Sequence, residues 1–262
     1  MSAGRRPTGA TRAPLCIAHR GASAHAPENT LAAFERAFDD GADWIECDVR
    51  LTADGTPIVL HYATLDRTTD GRGPAAQRTL AEVKRFDAGA WFGRRFARQT
   101  VPTLAEVLNC ARHRGGVNIE LKCDPTKGPV RETHRRLAHA VGAVIAAARF
   151  PGPIVVSSFS RPTLRAARAA MPHACLGFLA SRSVRGTKSL HRAIGLWSLH
   201  PHARLASRAR FAAARRLGLR LLAWGADDPA VARRLAALGA DGLMADDPAT
   251  LGRILSGSAD AS

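Results

Sequence analysis

The sequence predicts an α/β protein whose parallel sheet closes into a (β/α)₈ TIM-type barrel, with a small insertion after the third strand. Short apolar segments of strand length alternate with amphipathic helical segments over about 240 residues, as in parallel sheets with helical crossovers. About eight such units in 262 residues match a barrel of this kind. The alternative, a doubly wound open sheet in its dinucleotide-binding form, lacks support because no G-x-G-x-x-G follows the first strand.

The first elements are defined by local patterns. An apolar strand at residues 15–18 is followed by a helix at residues 30–39, where apolar side chains recur on one stripe. Residues 44–61 contain two strands joined by a turn at Asp54-Gly55. The turn-rich residues 62–100 are too long for a simple βα loop, so we predict an insertion there that includes a short helix.

Regular alternation resumes after the insertion. Further helices are predicted over residues 103–112, 130–148, 162–170, 206–217 and 229–238. Further strands are predicted over residues 117–122, 154–158, 175–179, 197–199, 219–224 and 240–244. Residues 14–256 are therefore expected to form a single barrel domain, preceded by a disordered basic leader at residues 1–13.

The net charge of +16 is concentrated in one part of the chain. Residues 133–226 contain sixteen Lys or Arg and no Asp or Glu, whereas the rest of the chain is balanced. The arginines alternate with alanines at helical spacing, which is typical of solvated helix faces. Because aromatic residues are almost absent among them, nucleic acid is not expected as a partner.

The leader has no apolar segment that resembles a signal-peptide core, and no apolar run reaches membrane-spanning length. We therefore expect a cytoplasmic protein without stable membrane association, and make no prediction of its oligomeric state. The five cysteines show no C-x-x-C spacing and are expected to be free thiols.

Two carboxylates lie on the first strand of the segment at residues 44–61. Glu46 and Asp48 are two residues apart, so their side chains share one face of the strand. Because burying both is costly without a neutralising cation, the pair favours a hard divalent ion, Mg²⁺ or Ca²⁺. His61 ends the next strand, where it is placed to move protons beside that ion.

The carboxyl ends of the other strands carry more polar residues, and these ends meet at the active-site face of a barrel. His19 and Arg20 follow the first strand, while Glu120 and Lys122 share one face of the fourth. These residues suit the cleavage of a small-molecule phosphodiester. Glu120 would join the two other carboxylates on the cation, Arg20 and Lys122 would bind phosphate, and two histidines would divide the acid and base roles.

At these positions the chain closely resembles the glycerophosphodiester phosphodiesterase family, in particular its cytosolic bacterial members. The matching segments occur in family order from residue 15 to about residue 250. They are His19-Arg20-Gly21, Pro27-Glu28-Asn29-Thr30, Glu46-Cys47-Asp48, His61, Leu65-Asp66-Arg67-Thr68-Thr69, Asp87-Ala88-Gly89-Ala90-Trp91-Phe92, Val101-Pro102-Thr103-Leu104, Glu120-Leu121-Lys122, Ser157-Ser158-Phe159 and Ala240-Asp241-Gly242-Leu243.

The resemblance implies a TIM-type barrel that hydrolyses glycerophosphodiesters, such as glycerophosphocholine or glycerophosphoethanolamine, to an alcohol and sn-glycerol 3-phosphate. It implies that His19 and His61 are the acid/base pair. It also implies one divalent cation, Mg²⁺ or Ca²⁺, on Glu46, Asp48 and Glu120. Arg20, Lys122, Phe159 and Trp224 are the predicted substrate-binding residues.

The chain departs from the family pattern at two strand ends. Tyr62 follows His61 where the family usually has Asp, and alternation predicts that Tyr62 points away from the metal as a support. This chain has Trp224-Gly225-Ala226-Asp227 where the family often has Trp-Thr-Val-Asn. Two alternatives therefore stay open: a phospholipase-type phosphodiesterase that acts on lysolipid headgroups, and a catalytically weakened barrel that binds anions.

Other polar residues near these motifs are given structural roles. Glu28 and Asn29 are expected to shape the first loop and cap its helix. The remaining eight histidines lack metal-ligand spacing and are expected on the surface or on helices. Among them, only the pair His200 and His202 lies close to a strand end; a place at the barrel rim stays open for it, and neither residue is predicted to belong to the site.

Overall fold

The computed structural model describes residues 13–122 and 130–257. The predicted leader, apart from Ala13, lies outside the described residues. The strands are β1 (Leu15–Ala18), β2 (Trp44–Leu51), β3 (Pro57–Val59), β4 (Gly116–Leu121), β5 (Ile154–Ser158), β6 (Cys175–Ala180), β7 (Ser198–Pro201), β8 (Arg220–Trp224) and β9 (Gly242–Ala245). The α-helices are α1 (Leu31–Asp39), α2 (Leu80–Val83), α3 (Leu104–Cys110), α4 (Val130–Ala148), α5 (Arg161–Ala170), α6 (Thr187–Ile194), α7 (Arg208–Arg216), α8 (Pro229–Ala237) and α9 (Pro248–Leu255).

Eight of these strands form a closed parallel barrel. The order around it is β1, β9, β8, β7, β6, β5, β4 and β2, and β1 pairs in parallel with both β9 and β2, which closes the ring. Helices connect most successive barrel strands on the outside. The predicted TIM-type barrel is therefore confirmed.

The prediction counts the strand that His61 ends as the third strand of the barrel. That count is wrong, because β3 is not one of the eight barrel strands. β3 pairs antiparallel with β2, with Val49 opposite Val59. The physical reason is the link between them: residues 52–56 form a tight turn with Gly55 at φ +80°, whereas a parallel crossover needs about a dozen residues. The hairpin strand β3 and the insertion therefore both lie between the second and third barrel strands, β2 and β4.

The helix starts follow local capping signals. The Thr30 side chain accepts a hydrogen bond from the Ala33 amide at the start of α1. Thr103 and Glu106 form a reciprocal capping box at the start of α3. The helices α6 and α9 were not among the predicted ones; α6 begins after Gly186, which offers no side-chain cap, while α9 does carry an Asp247 cap and a proline in its first turn.

The barrel interior is apolar toward the amino ends of its strands. Ile17, Trp44, Val155, Leu222 and Met244 form a buried cluster inside the ring. Along β2, Trp44 belongs to this cluster, and residues 46 and 48 follow on the same face in the direction of the carboxyl end. The apolar cluster therefore forms a base above which polar side chains are held.

The insertion has an apolar cluster of its own. That cluster joins residues of β3 and the insertion: Ile58, Leu60, Leu65, Ala75, Val83, Ala88 and Val101. Arg95 of the insertion donates a hydrogen bond to the His25 carbonyl, so the insertion lies beside the loop after β1. None of the described helices has the length and apolar character needed to cross a bilayer.

Candidate active site

Three carboxylates converge inside the barrel. Asp48 on β2 is in register with Glu120 on β4, and Glu46 lies two residues earlier on the same face of β2. One carboxylate oxygen from each residue lies within 4.8 Å of the others, and all three side chains are buried. The structure thus brings together the three residues predicted to hold a cation.

Two cations contact this carboxylate cluster. The Lys122 ammonium lies 2.9 Å from Glu120 and 3.4 Å from Asp48, while Arg20 Nε lies 3.3 Å from Asp48. Burial alone would raise the pKa of Asp48, but Lys122 and Arg20 outweigh it and lower that pKa. Burial and the charge of Asp48 raise the pKa values of Glu46 and Glu120. If all three carboxyls ionise, their negative charge exceeds that of the two cations, and burial together with this crowding is what raises the pKa values of Glu46 and Glu120.

The donor set fits a hard divalent ion. All three groups are carboxylates, which are the ligands that Mg²⁺ and Ca²⁺ prefer. Glu46 Oε1 is buried and has no hydrogen-bond partner among the described residues, although such atoms are normally paired. This unpaired oxygen, together with the crowded charge, is what a site for a cation requires.

His19 is held by a carboxylate from the far end of the chain. Its Nδ1 lies 2.8 Å from Asp246 Oδ1, and its carbonyl accepts a hydrogen bond from Ser23. Burial lowers the pKa of His19, but the hydrogen bond to Asp246 and the charge of Glu46 outweigh it and raise the pKa to about 9. Asp246 was not among the predicted site residues, although it directly follows β9 and therefore lies at a strand end like the other site residues.

His61 reaches the same site because the β2–β3 hairpin turns the chain back. The Leu60 amide donates to the Asp48 carbonyl over 2.8 Å, and Arg50 Nε donates to the His61 carbonyl over 3.1 Å. Burial, assisted by Lys122 and Arg20 and opposed by Asp48, lowers the pKa of the His61 ring to about 3. The Tyr62 ring packs edge-on against His61, with 4.5 Å between the centroids.

The loop after β1 orients both Arg20 and Asp48. Arg20 donates to Glu28 over 3.0 Å, and the Asn29 side chain donates to Asp48 Oδ2 over 2.9 Å. Thr30, not Asn29, caps α1, so the expected capping role is wrong. Gly21, at φ +82°, fits a place where a Cβ would come within 2.6 Å of the α1 backbone. The loop geometry therefore serves the site as well as the helix.

Two aromatic rings border the site. The Phe159 and Trp224 rings meet edge to face at 5.7 Å, and the Trp224 indole donates to the His200 carbonyl over 3.2 Å. They border a cavity of about 110 Å³. Its other lining residues are His19, Arg20, Glu46, His61, Asn118, Glu120, Lys122, Leu179 and Met244. All predicted site residues except Asp48 thus line one cavity, and Asp48 contacts the two cations on its wall.

The expectation that His200 lies on the surface or on a helix is wrong. It lies inside the barrel with no exposed surface, and its Nε2 is 2.7 Å from the Ser198 hydroxyl. Burial lowers its pKa to about 3. Residues of β7 alternate between faces, and His200 takes the inner one. His202 follows β7 at its carboxyl end, where its ring packs edge-on against Trp224 with 4.5 Å between the centroids.

Comparisons with known proteins agree with this geometry. Residues 19–250 match the model of the glycerophosphoryl diester phosphodiesterase family. A glycerophosphodiester phosphodiesterase of Caldanaerobacter subterraneus subsp. tengcongensis is 38% identical over 240 residues, which cover 90% of this chain and 96% of that protein.

Solved structures show the same fold. A phosphodiesterase of Oleispira antarctica, in complex with the product sn-glycerol-3-phosphate, has a TM-score of 0.85 and 31% identity over 93% of this chain and 97% of that one. A glycerophosphodiester phosphodiesterase from Agrobacterium tumefaciens str. C58 has a TM-score of 0.77 and 32% identity over 90% and 97%. The chain belongs to the glycerophosphoryl diester phosphodiesterase family, whose members are phosphoric diester hydrolases.

Proposed function

We propose that this protein hydrolyses glycerophosphodiesters, such as glycerophosphocholine or glycerophosphoethanolamine, to sn-glycerol 3-phosphate and an alcohol with the help of one divalent cation. The observation that carries the proposal is that both histidines, both cations and two of the three carboxylates border one small cavity. That combination supplies proton transfer and charge stabilisation around a single phosphorus atom.

Glu46, Asp48 and Glu120 would hold the cation, with Mg²⁺ and Ca²⁺ as the candidates. When bound, the ion supplies positive charge against the phosphate oxygens. The Asn29 side chain keeps Asp48 oriented for this role through its hydrogen bond. The Lys122 ammonium is paired with both Asp48 and Glu120, so these two carboxylates hold its charge beside the cation site even before substrate binds.

Arg20 and Lys122 are the proposed phosphate-binding groups. Both are mostly buried, with 17% and 15% of their side chains exposed, so solvent screens their charges only weakly. Glu28 and Asp48 hold the Arg20 guanidinium from two sides, which leaves its remaining donors in a defined orientation. The phosphate would therefore meet donors that are already positioned.

His19 and His61 have different hydrogen-bond partners, and this difference supports different acid and base roles for them. Asp246 occupies His19 Nδ1 and favours the protonated ring, so we infer that His19 Nε2 protonates the leaving alkoxide. His61 has no carboxylate hydrogen-bonded to its ring among the described residues, and its Nδ1 is unpartnered. The neutral His61 ring is therefore the proposed base that takes a proton from the attacking hydroxyl or water.

Phe159 and Trp224 are proposed to pack against the carbon atoms of the substrate. Both rings border the cavity, where the Lys122 ammonium lies 6.0 Å from the centre of the Phe159 ring. The Oleispira antarctica phosphodiesterase was solved with sn-glycerol-3-phosphate, and this proposal extends that product to the present chain. A small-molecule partner, a cytoplasmic location and the lack of nucleic-acid or stable membrane binding stay predictions.

The test is a turnover assay with purified protein. Release of sn-glycerol 3-phosphate from glycerophosphocholine is expected, EDTA should stop it, and Mg²⁺ or Ca²⁺ should restore it. The double variant Glu46→Gln/Asp48→Asn should be folded but inactive with either metal. Full activity of that variant, or of the wild type in EDTA, would contradict the metal role.

Turnover of long-chain lysolipids in preference to glycerophosphocholine would favour the phospholipase-type alternative instead. Binding without turnover in either metal would favour the anion-binding barrel.

A further inference from the structure

Asn118 is a polar residue of the cavity to which the proposed chemistry assigns no role. It lies on β4 in register with Glu46, and its side chain is fully buried. Neither Nδ2 nor Oδ1 has a hydrogen-bond partner among residues 13–122 and 130–257. The side chain nevertheless lines the cavity bordered by the two histidines.

An unpartnered amide is costly in this position. Burying such a group without hydrogen bonds destabilises a protein by about 1–3 kcal/mol, and an apolar side chain would avoid the loss. The cavity accommodates apolar side chains elsewhere, since Leu179 and Met244 also line it. An amide retained here is therefore explained best by a ligand group that pairs with it.

The chemistry of the amide identifies that group. Asn118 offers a donor and an acceptor side by side, and both are free. A phosphate oxygen only accepts, and a metal ion would engage Oδ1 alone and leave Nδ2 unpaired. A hydroxyl group both donates and accepts, so it can satisfy the two amide atoms together.

The shape of the cavity limits which hydroxyl this is. Its volume of about 110 Å³ is well below the roughly 300–1,000 Å³ of typical ligand clefts, so only a small part of a substrate enters it. Its lining combines apolar side chains with charged groups. A short polyol joined to phosphate matches this mixture, with its carbons against the apolar side chains and its hydroxyls near the amide.

We propose that Asn118 binds a hydroxyl of the substrate's glycerol unit and so selects polyol phosphodiesters over alkyl ones. This inference rests on the proposed function and specifies how the same site recognises its substrate. A site built to pair with a hydroxyl discriminates strongly against an analogue that lacks it, because the protein group is then left unpaired.

The experiment compares two phosphate monoesters as competitive inhibitors of glycerophosphocholine hydrolysis: sn-glycerol 3-phosphate and n-propyl phosphate, which lacks both hydroxyls. The wild type should prefer the glycerol compound. In Asn118→Leu, which keeps the branching but removes the amide, the inhibition constant for sn-glycerol 3-phosphate should rise about tenfold or more, and that for n-propyl phosphate should stay constant or fall. Asn109→Leu, an exposed position on α3, is the matched control and should behave as wild type.

Equal changes in both inhibition constants, or none, in a folded Asn118→Leu would overturn the inference. If that variant does not fold, Asn118→Ala removes the amide as well and provides the same comparison with a smaller side chain. If the wild type hydrolyses glycerophosphocholine but Asn118→Leu has the same ratio of the two inhibition constants as the wild type, only the role of Asn118 is refuted. If the wild type hydrolyses no glycerophosphodiester, the proposed function fails, and calorimetric titration with the two phosphates still decides whether Asn118 distinguishes them.

Discussion

The two histidines face one cavity but are held in different ways. His19 is fixed through its ring, by a charged carboxylate at 2.8 Å from Nδ1. His61 is fixed through its backbone, by hydrogen bonds from Arg50 to the carbonyls of residues 60 and 61, while its ring Nδ1 is unpartnered. A charged ring partner sets the protonation state as well as the position, whereas a backbone partner sets the position alone. One site can therefore prepare an acid and a base from the same residue type.

The largest effect is expected when each ring is removed and the leaving group is varied. His19→Ala and His61→Ala should each lose roughly 10²–10⁴-fold in kcat on glycerophosphocholine, the usual contribution of general acid or base catalysis. The p-nitrophenyl ester of sn-glycerol 3-phosphate releases a phenolate that needs no proton. His19→Ala should therefore recover much of its loss on that ester, and His61→Ala should not.

Steady-state assays on the two esters measure this difference, and circular dichroism verifies that the variants are folded. Recovery in His61→Ala and not in His19→Ala would reverse the acid and base assignments. Equal recovery in both variants would remove the distinction between the two histidines.

A smaller effect is expected when the ring partner of His19 is changed. Asp246→Asn should lower kcat about 10- to 100-fold, the range typical of groups that orient a functional side chain. The carboxylate raises the pKa of His19, so its removal lowers that pKa. Because the acid works only when protonated, activity should then be lost at a lower pH, and the alkaline limb of the kcat profile should move down in pH.

The pH profile distinguishes this role from a structural one, since a general loss of stability lowers activity without moving the limb. The control is Asp228→Asn, because Asp228 caps α8 and asparagine is an equally good cap. An alkaline limb that stays in place in Asp246→Asn would contradict the proposed coupling.

The smallest effect is expected at the backbone partner of His61. Arg50→Lys keeps the charge but loses the planar fork, so His61 should be held less accurately and kcat should fall by up to about tenfold. KM should change little, because Arg50 does not line the cavity. The alkaline limb should not move, in contrast to Asp246→Asn. Arg78→Lys, at an exposed position in the insertion, is the matched control, and equal kcat values in the two lysine variants would refute the positioning role.

Much of the site was predictable because its signals are local. Glu46 and Asp48 share a face of one strand, and Glu120 and Lys122 share a face of another, so period-two alternation alone pairs them. Asp246 was not predicted, although its place directly after β9 could have marked it as a strand-end residue; its contact with His19, 227 residues away, cannot be found from the local sequence. Asn29 was misread for a related reason, because its side chain could satisfy either a helix start or a distant carboxylate.

The alternation of strands and helices, the helix starts at Thr30 and Thr103, and the kinds of side chain available for chemistry follow from the sequence. These features depend on side-chain periodicity and on caps within a few residues. The direction of β3, the carboxylate partner of His19 and the burial of the unpaired Asn118 amide in the cavity follow only from the folded chain. Those depend on how the barrel closes, because closure brings residues from opposite ends of the chain to one place and decides which polar groups find a partner there.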